Sequence, residues 1–252
     1  MLLTKKRQRG HSHRVPQRRR SGMTVGGKNE SSGYRMIRAF IQARMSSARF
    51  PGKVLAPLQG RPVIAHVIAR VTEVMPVERI TVATSTDASD DRLARYVRDL
   101  GVGLYRGPLH NVFRRLQLCL EANPCDWFVR VCADSPLLDP ALLRVMLTRA
   151  RRTDAALITN IFPRTFPRGR SLELLHAQTF AGIHAQHLSA DEQEHVTTYY
   201  YRRPADFTIV NIASEDALAA PPDLAVDTKE DLERLEQVLC ELAMQVRGGI
   251  HA

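Results

Sequence analysis

From Met36 to Val246 the chain alternates between short apolar runs rich in β-branched residues and longer stretches whose apolar residues recur every three or four positions. The short runs predict strands over 37–43, 80–85, 127–132, 155–159 and 207–212. The longer stretches predict helices over 63–74, 90–100, 112–122, 140–151, 176–185 and 229–246. In the last of these, Leu232, Leu235, Val238, Leu239 and Leu242 fall on one helical face. Strands and helices in alternation predict an α/β fold with a mostly parallel central sheet flanked by helices. One stretch, "FPRTFPRGRSLELLH" at 162–176, interrupts the pattern with its prolines and glycine, and reads as a small loop or hairpin projecting from the sheet.

Charge changes the picture only at the N-terminus. The formal net charge is +10, but residues 1–35 hold ten Lys or Arg against the single acid Glu30, so the remaining chain is almost neutral. The arm 1–35 also lacks hydrophobic periodicity and is expected to be disordered, leaving 36–246 as the folded domain. It reads as a dispensable extension; the sharper alternative is a tail that adheres to nucleic acid or anionic surfaces in a salt-sensitive, sequence-blind way. No specific nucleic-acid partner is expected. No apolar run approaches the roughly 18 residues of a membrane span, and the N-terminus has no secretory apolar core, so a cytoplasmic location is expected. Cys119, Cys125, Cys132 and Cys240 lack metal-binding spacing and read as reduced thiols.

The segment "QARMSSARFPGK" begins at the carboxyl end of the first predicted strand, where an open α/β sheet binds its ligands. Arg44, Arg49 and Lys53 could surround an anion there, Ser46 and Ser47 could donate to it, and Gly52 permits a tight turn. The segment is neither a GxxxxGK[ST] loop nor a GxGxxG fingerprint. Polyphosphate is one fitting guest, and a solvated basic loop is the other reading. Phosphoryl transfer needs charge neutralisation, which Mg²⁺ supplies while taking one or two carboxylates from the protein. Asp134 and Asp227, each following an apolar run, are the candidates. Helix capping is the plainer role open to Asp227 with Thr228 and Asp231, to Asp139 before Pro140, and to Asp87, Asp90 and Asp91.

"IQARMSSARFPGKVLAPLQGRPVIAHVIARV", "ITVATSTDASDD", "YRG", "VRVCADSPLLDP", "EQEHVT" and "LAVDTKEDLERL" occur in an order that resembles the cytidylyltransferase family of the spore coat polysaccharide biosynthesis protein F type. That family is related to the acylneuraminate and 3-deoxy-manno-octulosonate cytidylyltransferases, and the resemblance covers about 36–240. It implies a Rossmann-like nucleotidyltransferase fold that uses CTP and Mg²⁺ (or Mn²⁺), transfers CMP to an acidic sugar or related acid, releases pyrophosphate and commonly works as a homodimer. Carried onto this chain, it implies a nucleotide site of Gln42, Ala43, Arg44, Ser47, Arg49, Lys53, Thr84, Ser85 and Arg106, with Gly107 beside the last. Arg44, Lys53 and Asp134 would be catalytic, and Asp134 and Asp227 would hold the metal. Arg130, Arg168, Glu173, Glu194 and His195 would meet the acceptor. Arg130 could equally be a buried ion-pair partner, His195, Glu173 and Glu194 could be structural, and Thr84 and Ser85 could merely cap and turn the chain.

Two departures bear on the acceptor. The family commonly has an acid where Asn111 stands, and a segment like "YPDGLDVE" where this chain has "FPRGRSLE", which puts Arg168 and Ser171 at acidic positions. A more anionic acceptor, or a different one, is expected. Two other classes stay open: a nucleotide-sugar-dependent glycosyltransferase of similar fold, which usually shows a compact Asp-x-Asp motif absent from "ADSP", and a non-catalytic nucleotide-binding protein.

Overall fold

The run Ile37–Gln42 forms strand β1 and owes its nearly continuous apolar character to burial on both faces: Ile37, Ala39 and Ile41 enter one core and Phe40 the other. The computed structural model describes residues 35–215 and 223–248, with side chains to residue 241. The basic arm lies outside the described residues except for Arg35, whose guanidinium donates to Ala150 O and to Asp154 Oδ1.

After β1 come a small hairpin of β2 (Pro57–Leu58) and β3 (Arg61–Pro62), then α1 (Val63–Thr72), β4 (Ile80–Ser85), α2 (Asp91–Asp99), β5 (Gly103–Gly107), α3 (Val112–Ala122) and β6 (Trp127–Cys132). The second half holds α4 (Pro140–Ala150), β7 (Leu157–Thr159), β8 (Glu173–His176), α5 (Ala177–Ala181), α6 (Ala190–Glu194), α7 (Thr198–Tyr201), β9 (Ile209–Asn211) and α8 (Lys229–Gly248). The main sheet has seven strands in the order β5-β4-β1-β6-β8-β7-β9. The first four are mutually parallel, β8 runs antiparallel to both β6 and β7, and β9 is parallel to β7. The chain winds outward from β1 through β4 to β5, then returns to place β6 on the other side of β1. The topological switch therefore falls between β1 and β6, and their carboxyl ends open a crevice of the kind that binds ligands.

Two apolar layers cover the sheet. Side chains of α1, α2 and α4 pack with Ile41, Val82, Val129 and Val131 on one face. Those of α3, α5 and α7 pack with Phe40, Phe128 and Leu175 on the other. A third, smaller cluster seats α8 through Leu235 against Leu58, Val63, Leu224 and Val226. No helix among the described residues is long and apolar enough to cross a membrane.

Besides the short elements β2, β3, α6 and α7, which the sequence pattern does not mark, the pattern and the structure differ in three places. The projecting segment 162–176 is a loop only in its first part; Glu173–His176 is an internal strand with Leu174 and Leu175 fully buried. Upstream prolines hid that strand. The helix expected over 176–185 stops at Ala181, where Gly182 caps it, and a single 3₁₀ turn follows. Strand β5, bounded by Gly103 and Gly107, is too glycine-rich to show an apolar pattern.

Candidate functional site

The loop that leaves β1 is braced before it reaches any ligand. Asp90, fully buried at the start of α2, accepts from Met45 N at 2.7 Å, Thr84 Oγ1 at 2.9 Å and Ser85 N at 3.0 Å, and also from the Ser85 hydroxyl. Gly52 then turns the loop at φ 78°, a left-handed value that a Cβ would strain, and donates to Met45 O at 2.8 Å. The turn delivers Lys53 into the crevice, where its side chain is 11% exposed.

Lys53 Nζ lies 2.7 Å from Asp134 Oδ2 and 2.9 Å from Asp227 Oδ1. Asp134 comes from the turn after β6, and Asp227 from the residues before α8. Capping of α8 is done by others: Thr228 Oγ1 accepts from Asp231 N, and Asp231 Oδ2 accepts from Asp227 N and Thr228 N. The Asp227 carboxylate is thereby free to face the crevice, where Arg49 Nη2 and Arg168 Nη2 each approach its Oδ2 to 2.8 Å. Burial works against its charge, yet Lys53, Arg49 and Arg168 together hold its pKa below the ordinary aspartate value. Burial likewise opposes the Lys53 charge, and the two aspartates outweigh it, raising that pKa. Two carboxylates converging on one cationic point are hard oxygen donors, and that donor set fits a divalent cation such as Mg²⁺. Asp134 has the more open ligand position, since its Oδ1 meets only the Ser135 hydroxyl at 3.3 Å. Among the described residues no cluster of three or more His, Cys, Asp or Glu side chains could hold a metal by itself.

These groups sit in a cleft of about 700 Å³ running from the β1 loop to the β7–β8 loop. Gln42, Ala43, Arg44, Ser47, Arg49, Lys53, Asp134 and Asp227 line it, as do the expected acceptor residues Arg130, Arg168, Glu173, Glu194 and His195. Arg44 spans to α6 in a two-pronged pair with Glu194, Nη2 to Oε1 at 2.6 Å and Nη1 to Oε2 at 3.2 Å. His195, at the rim, is 67% exposed and 3.8 Å from Asp191. Arg130 is an ion-pair partner: its Nη1 bonds Glu173 Oε2, its Nε donates to Gln42 Oε1 at 2.8 Å, and Tyr201 Oη donates to Glu173 Oε1 at 2.6 Å. Burial and the Glu173 charge together drive the Tyr201 pKa well above its ordinary value, so the phenol stays a donor.

Three expected nucleotide contacts lie elsewhere. Thr84 and Ser85 are fully buried, do not line the cleft and spend their hydroxyls on Asp90; they shape the β1 loop from behind. Arg106 is turned toward the chain itself, donating to Ser85 O at 2.7 Å and pairing with Asp91 at 2.7 Å. Asn111, where the family pattern has an acid, caps α3 by accepting from Arg114 N and donates to Gln193. Conversely, the cleft includes Arg115, Arg164 and Tyr201, which no motif had singled out. Arg115 is buried, donates from Nη1 to Pro108 O and Leu109 O, and has its pKa pushed down to about 10 by burial and by Arg44. Its helical position among apolar residues gives the only sequence signal, a cation on a face that should be core.

The family profile described as Cytidylyltransferase matches residues 39–249. The spore coat polysaccharide biosynthesis protein SpsF of Bacillus subtilis is 32% identical over 204 residues, which is 78% of this chain and 83% of that one. A 3-deoxy-manno-octulosonate cytidylyltransferase of Anaeromyxobacter sp. is 36% identical over 117 residues, 45% of this chain and 46% of that one. Among solved structures, a cytidylyltransferase from Leptospira borgpetersenii superposes with a TM-score of 0.76 at 26% identity, covering 81% of this chain and 86% of the other.

Proposed function

The chain belongs to the cytidylyltransferase family and is a nucleotidyltransferase, and from that premise we propose that it consumes CTP, transfers CMP to an acidic sugar or related acid, and releases pyrophosphate. The observation that carries the proposal is the Lys53 ammonium set between Asp134 and Asp227, with Arg44 and Arg49 lining the same end of the cleft. A triphosphate needs dispersed positive charge on one side and a path for an in-line nucleophile on the other. Arg44, Arg49 and Lys53 neutralise the phosphate chain. Their positions at a braced loop mean that little reorganisation is needed when charge moves toward the leaving pyrophosphate. Asp134 and Asp227 would hold Mg²⁺ or Mn²⁺, which when bound supplies further neutralisation of phosphate oxygens. The acceptor brings its own oxygen nucleophile, oriented by the side of the cleft that carries Arg168 and His195.

The kinship with a protein named for cytidylyl transfer to 3-deoxy-manno-octulosonate supports an acidic sugar as acceptor class. The test is pyrophosphate release with each of four nucleoside triphosphates, Mg²⁺ and a panel of acidic sugars and phosphonates. Turnover confined to CTP, and lost in Asp134→Ala, is the expected result. Equal use of other triphosphates, or undiminished turnover in Asp134→Ala, would refute the reading. A homodimer acting in the cytoplasm belongs to the same proposal, and light scattering on the purified protein checks the dimer.

A further inference from the structure

Seven cationic side chains face the cleft against four carboxylates. Five of the cations have carboxylate partners in the pairs described above. The other two, Arg115 and Arg164, have none among the described residues. Arg115 is accounted for by the β5–α3 turn, whose carbonyls it holds. Arg164 has only a neutral partner, donating from Nη1 to Ser171 Oγ at 3.0 Å.

Arg164 stands on a loop fastened from several directions. Phe162 N donates to Asn211 Oδ1 at 3.1 Å, Asn211 Nδ2 donates to Pro163 O at 3.1 Å, and Ser214 N donates to Thr165 Oγ1 at 2.8 Å. Fully buried Asn160 closes the base, donating to Arg170 O at 2.9 Å and accepting from Leu172 N at 2.8 Å. The Phe162 ring stacks on Tyr201 with centroids 4.7 Å apart. An exposed guanidinium on so constrained a backbone is preorganised, and neutral Ser171 presents a second donor beside it. The ionised groups that act on Arg164 are Glu173 of β8, Arg168 of its own loop and Asp223 of the segment before α8, and none is on the β1 loop. Partial burial lowers its pKa, with Arg168 acting in the same direction and Glu173 and Asp223 against it.

We infer that Arg164 and Ser171 form the subsite that binds the oxyanion group of the acceptor, a carboxylate or a phosphonate, and so set acceptor specificity. The inference rests on reading the cleft as a CMP-transfer site. A guanidinium and a hydroxyl 3.0 Å apart can address two oxygens of one acid group. Neither residue is bonded to Asp134, Asp227 or Glu194, so acid binding there leaves the pairs of Arg44, Arg49 and Lys53 to the nucleotide. Arg168, engaged with Asp223 and Asp227, instead ties this loop to the carboxylate end.

The test uses full-length protein with ¹⁵N-labelled arginine, titrated with pyruvate and separately with methylphosphonate, in the absence and presence of CTP and Mg²⁺. At least one probe is expected to shift an Nε–Hε resonance that is missing from Arg164→Gln. That variant should weaken the probe's dissociation constant about 10- to 100-fold, the loss expected for a charge-assisted hydrogen bond. Arg164→Lys should lose less, and Ser171→Ala, which leaves the cation in place, should weaken binding several-fold. Uncharged pyruvamide should leave the resonance unmoved. Whichever probe binds more tightly identifies the acid group. Absence of any Arg164-dependent shift with either probe, titrations that match between wild type and Arg164→Gln, or pyruvamide acting as well as pyruvate would overturn the inference. CTP affinity is read separately in the wild type: failure to bind CTP would remove the CMP-transfer reading while leaving the anion signal at Arg164 readable.

Discussion

The two ends of the cleft carry the same kinds of side chain and use them oppositely. At the end proposed for the nucleotide, Arg44 is 34% exposed and Arg49 64% exposed, and their carboxylate partners can be exchanged for phosphate at small cost because water already shares the charge. At the end proposed for the acceptor, Arg130 is 12% exposed and Glu173 2% exposed, and Gln42, Tyr201 and Thr159 close a hydrogen-bonded circuit around them. Exposure separates the two roles: an open pair holds a cation ready for a ligand, whereas a closed pair fixes the wall. Lys53 is the intermediate case, nearly buried yet shared between two aspartates, which is suited to a group that must stay charged while its partners change.

The largest expected effect comes from removing that intermediate group. Lys53→Ala should lower kcat/KM for CTP by about 10²- to 10³-fold, the scale of losing one preorganised donor to developing charge. Because the substitution also leaves Asp134 and Asp227 facing each other, Lys53→Arg, which keeps the charge, should recover part of the rate. Equal turnover in Lys53→Ala and wild type, measured by pyrophosphate release, would erase the distinction between the two ends.

At the closed end the corresponding experiment should be structural. Glu173→Gln keeps the side-chain shape and leaves the Arg130 charge without its counter-charge, at a cost of about 3–5 kcal/mol. Urea unfolding should show the loss. A variant as stable as wild type but defective in acceptor use would mean that Glu173 meets the substrate after all.

The asymmetry also governed what could be read from sequence. The end proposed for the nucleotide is built from side chains at strand ends or just before a helix, so Arg44, Arg49, Lys53, Asp134 and Asp227 announce themselves by type and place, and the structure brings them into one cleft. Three of the four strands in the parallel half, β1, β4 and β6, were equally legible, since strands buried on both faces read as apolar runs; glycine-rich β5 was not. The opposite wall is assembled by pairings set by the sheet: Arg130 meets Glu173 through the antiparallel register of β6 and β8, and Tyr201 reaches Glu173 from α7. No local pattern encodes those meetings, and the prolines before β8 disguised the strand that makes them possible. Thr84 and Ser85 stand at a strand end as binding residues would, yet burial turns them toward Asp90. Position along a strand was legible; the direction in which a side chain is spent was not.

Between the ends lies a joint that can be strained directly. Gly169 has φ 85°, and a Cβ there would come within 2.3 Å of the Leu224 carbonyl carbon. That close approach carries the hydrogen bond from Leu224 N to Arg168 O and positions the backbone leading to Asp227. Gly169→Ala is expected to cost about 1–3 kcal/mol in stability, from left-handed strain and displacement of rigid backbone. CTP turnover should fall with it, because Asp227 moves with that backbone. Unchanged thermal unfolding and turnover would show that the two ends are not mechanically linked through residues 168–169.

The smallest expected effect is a gain. Glu194→Gln removes the counter-charge from Arg44 while keeping an amide that can still accept from it. A half-exposed pair is worth up to about 1 kcal/mol, so freeing Arg44 should tighten CTP binding by about 2- to 5-fold. Stability should change by no more than the same amount, since neither partner is buried enough to leave a costly orphan. Calorimetric titration with CTP and Mg²⁺ measures the first quantity and urea unfolding the second. Weaker CTP binding in Glu194→Gln would mean that the carboxylate orients Arg44 for the phosphate instead of competing with it, and the Arg44–Glu194 pair would then belong with Arg130–Glu173 as part of the fixed wall.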